Sequence, residues 1–330
     1  DILSTVGRWM RVKTSIERTR AESAVFMLGS ACIAVGTLIA MAWVAGFDRI
    51  LDRLTAIDPV WFAVAFGAEI LAYLGYVVSY REVARVEDGG TMAHLDAAAA
   101  VAAGFGPFVA RGGFAVDAHA FKRHGLSDAD VRARVMGLGA LEYALLAPAA
   151  CVVAIQLLAE GVHKPSPGLT LPWAIAVPLG FVGAVIAVER RDKFVGKKGW
   201  RGVIGHCLES IYVLKCLFTR PKHLIGPLGT AIYWFGDIVC LWACLRAFTH
   251  GSPDIPILLL GYATGYALSR RTLPFGGAGA VEALLPFALS WCGIELGAAV
   301  LAVFSYRIFN FWLPTLPAAF GMRRLQASST

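Results

Sequence analysis

Two adjacent arginines, a run of glycines and a glutamate follow one another in the stretch SRRTLPFGGAGAVEALLPF, residues 269–287. A guanidinium group offers a planar set of N–H donors that suits phosphate oxygens. The glycines permit a tight turn that leaves backbone amides uncovered, and a helix that begins after the turn carries partial positive charge. This order of residue types predicts an anion-binding turn. Its predicted substrate-binding residues are Arg270, Arg271, Gly276, Gly277 and Gly279.

A similar stretch, FGPFVARGGF, occupies residues 105–114 in the first half of the chain. Its arginine also lies beside glycines, and a helix is expected to begin after them. We therefore predict a second anion-binding turn, formed by Arg111, Gly112 and Gly113. A phospholipid or polyprenyl phosphate head group has the charge and the geometry that two such turns would bind.

Six further charged residues fall inside apolar segments, where a charge at the bilayer centre costs roughly 2.5–3.5 kcal/mol. Such residues are normally paired or face water, so we predict that they orient the turn arginines or gate access to them. These residues are Glu69, Asp117, Glu142, Asp237, Glu282 and Arg307.

Two alternatives remain open for these charges. In the first, the acids pair with the turn arginines and only hold the turns in place. The candidate pairs are Arg111 with Asp117 or Glu142, and Arg271 with Glu282. In the second, Glu69 and Asp237 couple transport to protons, because burial makes a carboxyl group easier to protonate.

Composition places the chain among polytopic integral membrane proteins of the all-α class. Of its 330 residues, 57% are hydrophobic and only 16% are charged, and the mean hydropathy is +0.63. The positions of the charges that give the net +7 argue against a nucleic-acid partner. A helix needs about 20 apolar residues to cross a bilayer. We predict six full transmembrane helices, over residues 24–46, 60–80, 135–158, 171–188, 224–248 and 296–317.

Two shorter apolar pairs, residues 97–121 and 257–291, are each interrupted in the middle by glycine and arginine. Neither half of either pair is long enough to span a bilayer comfortably. Irregular backbone at membrane depth is tolerated where it is covered by protein or lines a cavity. We therefore predict two re-entrant helical hairpins, each entering and leaving the membrane on one side.

The distribution of basic residues predicts the orientation. With the N-terminus in the cytoplasm, most of the 30 lysines and arginines lie in cytoplasmic segments, and only Arg49, Arg53 and Lys164 lie outside. The predicted cytoplasmic parts are the N-terminal segment 1–23, a basic amphipathic loop 189–223 and a tail 322–330. Basic residues in that loop are attracted to the anionic inner leaflet by roughly 1 kcal/mol each. We expect a multi-pass protein of a bacterial-type cytoplasmic (inner) membrane, with both termini cytoplasmic.

The two halves of the chain, residues 24–160 and 161–321, show the same order of parts. Each contains a span, an amphipathic stretch, a second span, an interrupted hairpin and a final span. Three full spans per half require the second half to be inverted relative to the first. The sequence therefore predicts an inverted-topology repeat, a pattern of transporters whose interrupted helices form the substrate site.

Motifs for several enzyme classes are absent from the sequence. It has no aspartate cluster for magnesium within an apolar segment, no GxSxG elbow and no P-loop, and we predict no metal and no cofactor. Asp128 and Asp130 have the spacing of residues that open a helix. A second hypothesis remains: an integral-membrane enzyme that acts on lipid-linked substrates near His119, His124 and Asp128.

The second half of the chain resembles a known family over residues 273–321. The residues that fit the family pattern are Pro274, Gly276, Gly277, Gly279, Glu282, Gly293, Arg307 and Pro314. The first hairpin is similar to an earlier and looser motif of the same family. On these residues the chain resembles the flippase-like family, also called the lysylphosphatidylglycerol synthase transmembrane region.

The resemblance implies a lipid-translocating membrane domain, as in the multiple peptide resistance factors, which move aminoacylated phosphatidylglycerol to the outer leaflet. Those proteins also carry a cytosolic aminoacyltransferase domain, which we do not expect here, so we expect a transporter and not an enzyme. The implied cargo is a phospholipid, an aminoacyl-phospholipid or a polyprenyl-phosphate-linked lipid. Expected partners are lipids with anionic head groups and a separate lipid synthase; an oligomer is compatible with the sequence. A third hypothesis is an accessory subunit that presents lipid to such a synthase.

Overall fold

The computed structural model describes residues 20–55, 57–105, 113–161, 165–194, 197, 199–249, 251, 253–266 and 277–327. Over these residues the chain forms helices and turns and contains no strand, which confirms the predicted all-α class. The helices are α1 Arg20–Ala45, α2 Phe47–Leu54, α3 Val60–Arg85, α4 His94–Phe105, α5 Gly113–Arg123, α6 Asp128–Ala159, α7 Pro167–Val188, α8 Trp200–Thr219, α9 Ile225–Phe248, α10 Ile255–Tyr266, α11 Ala280–Trp291, α12 Leu296–Arg307 and α13 Thr315–Ala327.

Seven helical segments of the described part are long and apolar enough to cross a membrane. They are Met27–Ala45, Val60–Asp88, Asp128–Ala159, Pro167–Val188, Trp200–Thr219, Pro221–Phe248 and Leu296–Leu325. Six of them coincide with predicted spans, although several extend further than the apolar sequence indicated. The seventh is α8, which the sequence placed in the amphipathic cytoplasmic loop. Its mean hydropathy of 1.2 is the lowest of the seven.

The two predicted hairpins correspond to two pairs of short helices, α4 with α5 and α10 with α11. Each of these helices has 11 or 12 residues, and about 18 Å of helix is too short for a hydrocarbon core of about 30 Å. In each pair the two helices pack against each other. The connecting residues 106–112 and 267–276 lie outside the described part of the chain.

Helices α3 and α9 form the centre of the fold and run antiparallel. At one end the Asp58 amide donates to the Ala247 carbonyl, at 3.1 Å. At the other end the Ser79 hydroxyl donates to the Gly226 carbonyl, at 2.7 Å. Small residues let the two backbones approach: a Cβ atom added at Gly236 would lie 2.5 Å from a backbone oxygen of α3. The first and second halves of the chain are thus joined through direct backbone contact.

Local sequence determines where the two final helices of the halves begin and bend. Helix α6 begins after Ser127, whose side chain accepts from the Asp130 amide, so the predicted helix start is confirmed. Between α12 and α13 the chain makes a π-helical turn over Ile308–Trp312, closed by a 2.8 Å hydrogen bond from the Leu313 amide to the Ile308 carbonyl. Such turns insert an extra residue into a helix and often occur at functional sites.

Candidate functional site

Asp237, near the middle of α9, is fully buried and accepts hydrogen bonds from three side chains. Its Oδ2 atom accepts from the hydroxyls of Tyr262 on α10 and Tyr306 on α12, the latter at 2.8 Å. Its Oδ1 atom accepts from Nδ2 of Asn310, at 2.5 Å. Three donors to one carboxylate join α9 to α10, to α12 and to the π-helical turn.

Asn310 connects this carboxylate to a second one from the other half of the chain. Its Nδ2 also donates to Oε1 of Glu69 on α3, at 3.3 Å, and its Oδ1 accepts from the Tyr266 hydroxyl, at 3.3 Å. Asn310 lies in the π-helical turn, which places its side chain between α3 and α9. Glu69 and Asp237, both predicted from the sequence, therefore belong to one buried polar network.

A second buried cluster lies at the start of α11. Arg307 and Glu282 are both fully buried, and Nε of Arg307 donates to Oε1 of Glu282 at 2.6 Å. The other carboxylate oxygen, Oε2, accepts from the Gly279 amide at 2.7 Å. Gly279 has a φ of +84°, a conformation that favours glycine. The Phe311 ring lies 4.1 Å from the guanidinium carbon of Arg307.

Glu142 lies on α6 and joins that helix to the central pair. Its Oε1 accepts from the Tyr76 hydroxyl of α3 at 2.5 Å, and its backbone carbonyl accepts from Nε1 of Trp234 of α9 at 2.9 Å. The Trp234 ring in turn contacts Tyr262, whose hydroxyl donates to Asp237. A continuous series of side chains therefore connects Glu142 with the Asp237 network.

The structure brings together some of the predicted site residues and not others. Glu69 joins Asp237 through Asn310, and Glu282 joins Arg307. Asp117 is fully buried on α5. Of the predicted anion-binding residues, Gly113 opens α5, whereas Gly277 and Gly279 precede α11. The residues Arg111, Gly112, Arg270, Arg271 and Gly276 lie outside the described part of the chain, so the pairings proposed for the two turns remain predictions.

Sequence reasoning missed the neutral members of the network. Tyr262 and Tyr266 are four residues apart on α10, and Tyr306 and Asn310 are four residues apart across the end of α12. That spacing places both members of a pair on one face of a helix. Neutral polar side chains also require hydrogen-bond partners in a membrane. A search for polar pairs at helical spacing, and not only for charges, would have found them.

Of the residues of the enzyme hypothesis, His119 lies on α5, and His124 and Asp128 lie at the turn between α5 and α6, where they make local contacts. Lys122 pairs with Asp128 at 2.9 Å, and the Asp128 side chain is 68% exposed. Nδ1 of His124 lies 2.9 Å from the Ala120 carbonyl. Among the described residues, no group of three or more histidines, cysteines or acids could hold a metal ion.

Comparison with known proteins gives one family. The model of the lysylphosphatidylglycerol synthase TM region matches residues 27–318, a range that includes all of the buried polar side chains described above. A comparison with curated proteins gives no match. Since the family model covers most of the chain, the protein belongs to the family of the lysylphosphatidylglycerol synthase transmembrane region.

Proposed function

We propose that the protein moves a phosphate-bearing lipid between the two leaflets of a membrane through a central anion-binding cavity. The observation that carries this proposal is the buried polar network of Glu69, Asp237 and Asn310, to which both halves of the chain contribute. Charged side chains inside a membrane are costly and usually mark a transport pathway. The family supports a membrane role related to lipids. The proposed cargo is a phospholipid, an aminoacyl-phospholipid or a polyprenyl-phosphate-linked lipid.

Helix packing supports an inverted repeat with two re-entrant hairpins. The central helices α3 and α9, which occupy equivalent positions in the two halves, run antiparallel, as helices related by a two-fold axis in the membrane plane must. Helix α13, which ends the second half, packs against α4 of the first hairpin, and α6, which ends the first half, packs against α10 of the second. Each hairpin therefore contacts the final helix of the other half, which fits transporters whose substrate site lies at the interface of two repeats.

The contacts of α8 support a position at the membrane surface rather than across the membrane. Arg191, just after α7, lies 3.4 Å from the Tyr212 ring in the middle of α8. Arg220, just after α8, lies 3.8 Å from Glu87 at the end of α3. The middle of α8 and its C-terminal end therefore both contact residues that lie at the ends of other helices, α7 and α3. We propose that α8 and its basic neighbours lie on the inner leaflet of a bacterial-type inner membrane, with six spans and cytoplasmic termini.

The network gives the transporter a set of bonds that can break and re-form. Asp237 connects α9 with α10 through Tyr262, and with α12 through Tyr306. If α10 and α12 move together relative to α9, both hydrogen bonds must open. A lipid phosphate that competes for the same donors would favour that movement, which is how a ligand shifts a two-state equilibrium. The cargo would be supplied by a separate lipid synthase.

The experiment is lipid exchange in vesicles reconstituted with the purified protein. Fluorescent anionic, zwitterionic and polyprenyl-phosphate lipids are tested in turn, and dithionite measures the fraction that reaches the outer leaflet. We expect faster exchange than in protein-free vesicles for at least one phosphate-bearing lipid. Exchange equal to that of empty vesicles for all three classes would contradict the proposal. Mass spectrometry of the recovered lipids is run in parallel, because a chemically altered lipid would favour the enzyme hypothesis instead.

A further inference from the structure

We infer that Arg307 binds the phosphate directly, through its two terminal nitrogens, instead of serving only as a partner of Glu282. Arg307 is fully buried, and its Nε atom is occupied by Glu282. Both terminal nitrogens, Nη1 and Nη2, are buried as well, and neither has a hydrogen-bond partner among the described residues. The inferred ligand is a phosphate group with two oxygens that accept from these nitrogens side by side.

Unpaired donors of this kind are rare and require an explanation. Buried polar groups in folded proteins nearly always have a hydrogen-bond partner, and a buried group of a charged residue is the costliest to leave without one. Each terminal nitrogen of a guanidinium carries two hydrogens, so the side chain of Arg307 holds four donors without an acceptor among the described residues. An external acceptor would remove this cost.

The nearby acid does not satisfy these donors, although it could. A carboxylate commonly accepts two parallel hydrogen bonds from one arginine. Glu282 instead gives one oxygen to Nε of Arg307 and the other to the Gly279 amide at the start of α11. Another buried carboxylate, that of Asp237, accepts hydrogen bonds from Tyr262, Tyr306 and Asn310. The open side of the guanidinium is therefore not the unfinished half of an internal ion pair.

The guanidinium group is also held in a fixed orientation. Glu282 fixes its Nε edge, and the Phe311 ring lies against its face, 4.1 Å from the central carbon. A binding group that is already ordered loses little entropy when its ligand arrives. The start of α11, a helix of 12 residues, lies beside it and adds positive potential. These features suit a phosphate group, whether it belongs to a lipid head group or is free inorganic phosphate.

Binding measurements on the full chain in detergent test this inference. Isothermal titration is carried out with inorganic phosphate, with dioctanoyl phosphatidylglycerol and with dioctanoylglycerol, which has no phosphate. Arg307→Lys keeps the charge but loses the paired donors, and we expect its affinity for the phosphate-bearing probe to fall about 10- to 100-fold. Glu282→Gln removes the competing negative charge but keeps an amide oxygen that can accept from Nε of Arg307, so the guanidinium stays oriented and we expect the affinity to be unchanged or higher.

The opposite response of the two variants distinguishes a ligand site from a structural ion pair. If Arg307 only stabilises the fold through Glu282, both variants weaken binding alike and lower the melting temperature alike, and the inference is wrong. The matched control is Arg246→Lys, since Arg246 lies on α9 and stacks over Trp61 at 4.9 Å, and its affinity should equal that of the wild type. Melting curves without ligand show that each variant is folded.

The three probes identify the source of the phosphate. Arg307-dependent binding of inorganic phosphate supports a site for the ion itself, and binding of the lipid alone supports a site that requires the lipid body. No binding of either probe, or equal binding of dioctanoylglycerol, overturns the inference. The inference that the phosphate belongs to a lipid rests on the proposed function. The phosphate site at Arg307 and the proposed function can nevertheless be contradicted separately. Arg307-dependent binding without lipid exchange would contradict only the proposed function, and lipid exchange with Arg307-independent binding would contradict only this site.

Discussion

Alanine in place of Gly236 should force the two central helices apart. The added Cβ atom would lie 2.5 Å from the Ala68 carbonyl oxygen and 2.7 Å from the Ala72 amide nitrogen, where ordinary contacts begin at 3.4 Å. Both atoms belong to the backbone of α3, so no change of side-chain rotamer can relieve the overlap. Overpacking of this kind typically costs about 1–3 kcal/mol. Alanine also stabilises a helix by roughly 1 kcal/mol relative to glycine, so a control variant is needed to separate this gain in helix propensity from the cost of the overlap.

The control for that term is Gly180→Ala on α7, where a Cβ atom would meet nothing within 4 Å. Both variants gain the same helix propensity, so their difference reports the overlap alone, about 1–3 kcal/mol. Thermal unfolding in detergent, followed by tryptophan fluorescence, should place the Tm of Gly236→Ala several degrees below that of Gly180→Ala, since 1 kcal/mol corresponds to about 2–4 °C in chains of 150–250 residues. An equal or higher Tm for Gly236→Ala would refute direct backbone contact between α3 and α9.

Three further outcomes are expected. Asp237→Asn should lower the Tm, because hydrogen bonds to a charged group contribute about 1.5–3 kcal/mol each and the asparagine amide cannot accept from all three donors that now bind the carboxylate. An unchanged Tm would contradict the network. Arg134→Gln should lower the free energy of unfolding by about 1–3 kcal/mol, and therefore the Tm, because the Arg134 side chain donates to the Val86 carbonyl at 2.5 Å. A wild-type Tm would show that this contact is dispensable. A cysteine in place of Asp254 should react with a membrane-impermeant maleimide added from outside, and a cysteine in place of Lys193 only with maleimide added from inside. Labelling of both cysteines from one side would exclude the proposed topology.

Long apolar segments made most of the fold predictable. A stretch of about 20 apolar residues has few alternatives to a membrane helix, so the predicted spans 60–80 and 224–248 correspond to the observed helices Val60–Arg85 and Ile225–Phe248. The position of helix α8 was harder to predict, because its apolar residues suit a helix on the membrane surface as well as one that spans the membrane. Its surroundings depend on Arg191 and Glu87, which come from segments that hydropathy does not bring together. Tertiary contacts, not local sequence, distinguish the two positions.

The candidate site was predictable only in its charged members. Glu69, Asp237, Glu282 and Arg307 stand out because charges are rare within apolar sequence. Their pairing was not predictable, since the partners Glu69 and Asn310 are 241 residues apart in the chain. The side of Arg307 that has no partner among the described residues is a three-dimensional property, and no spacing in the sequence indicates it.

The most direct measurement of the central claim is the initial rate of fluorescent phosphatidylglycerol exchange in reconstituted vesicles, compared between wild type, Asp237→Asn and Gly180→Ala. If lipid moves through the buried network, wild type and Gly180→Ala should exchange lipid at the same rate, well above empty vesicles. Asp237→Asn should be slower by at least about tenfold, which corresponds to roughly 1.4 kcal/mol in the barrier. Equal rates for Asp237→Asn and wild type, with both proteins folded, would contradict transport through this network.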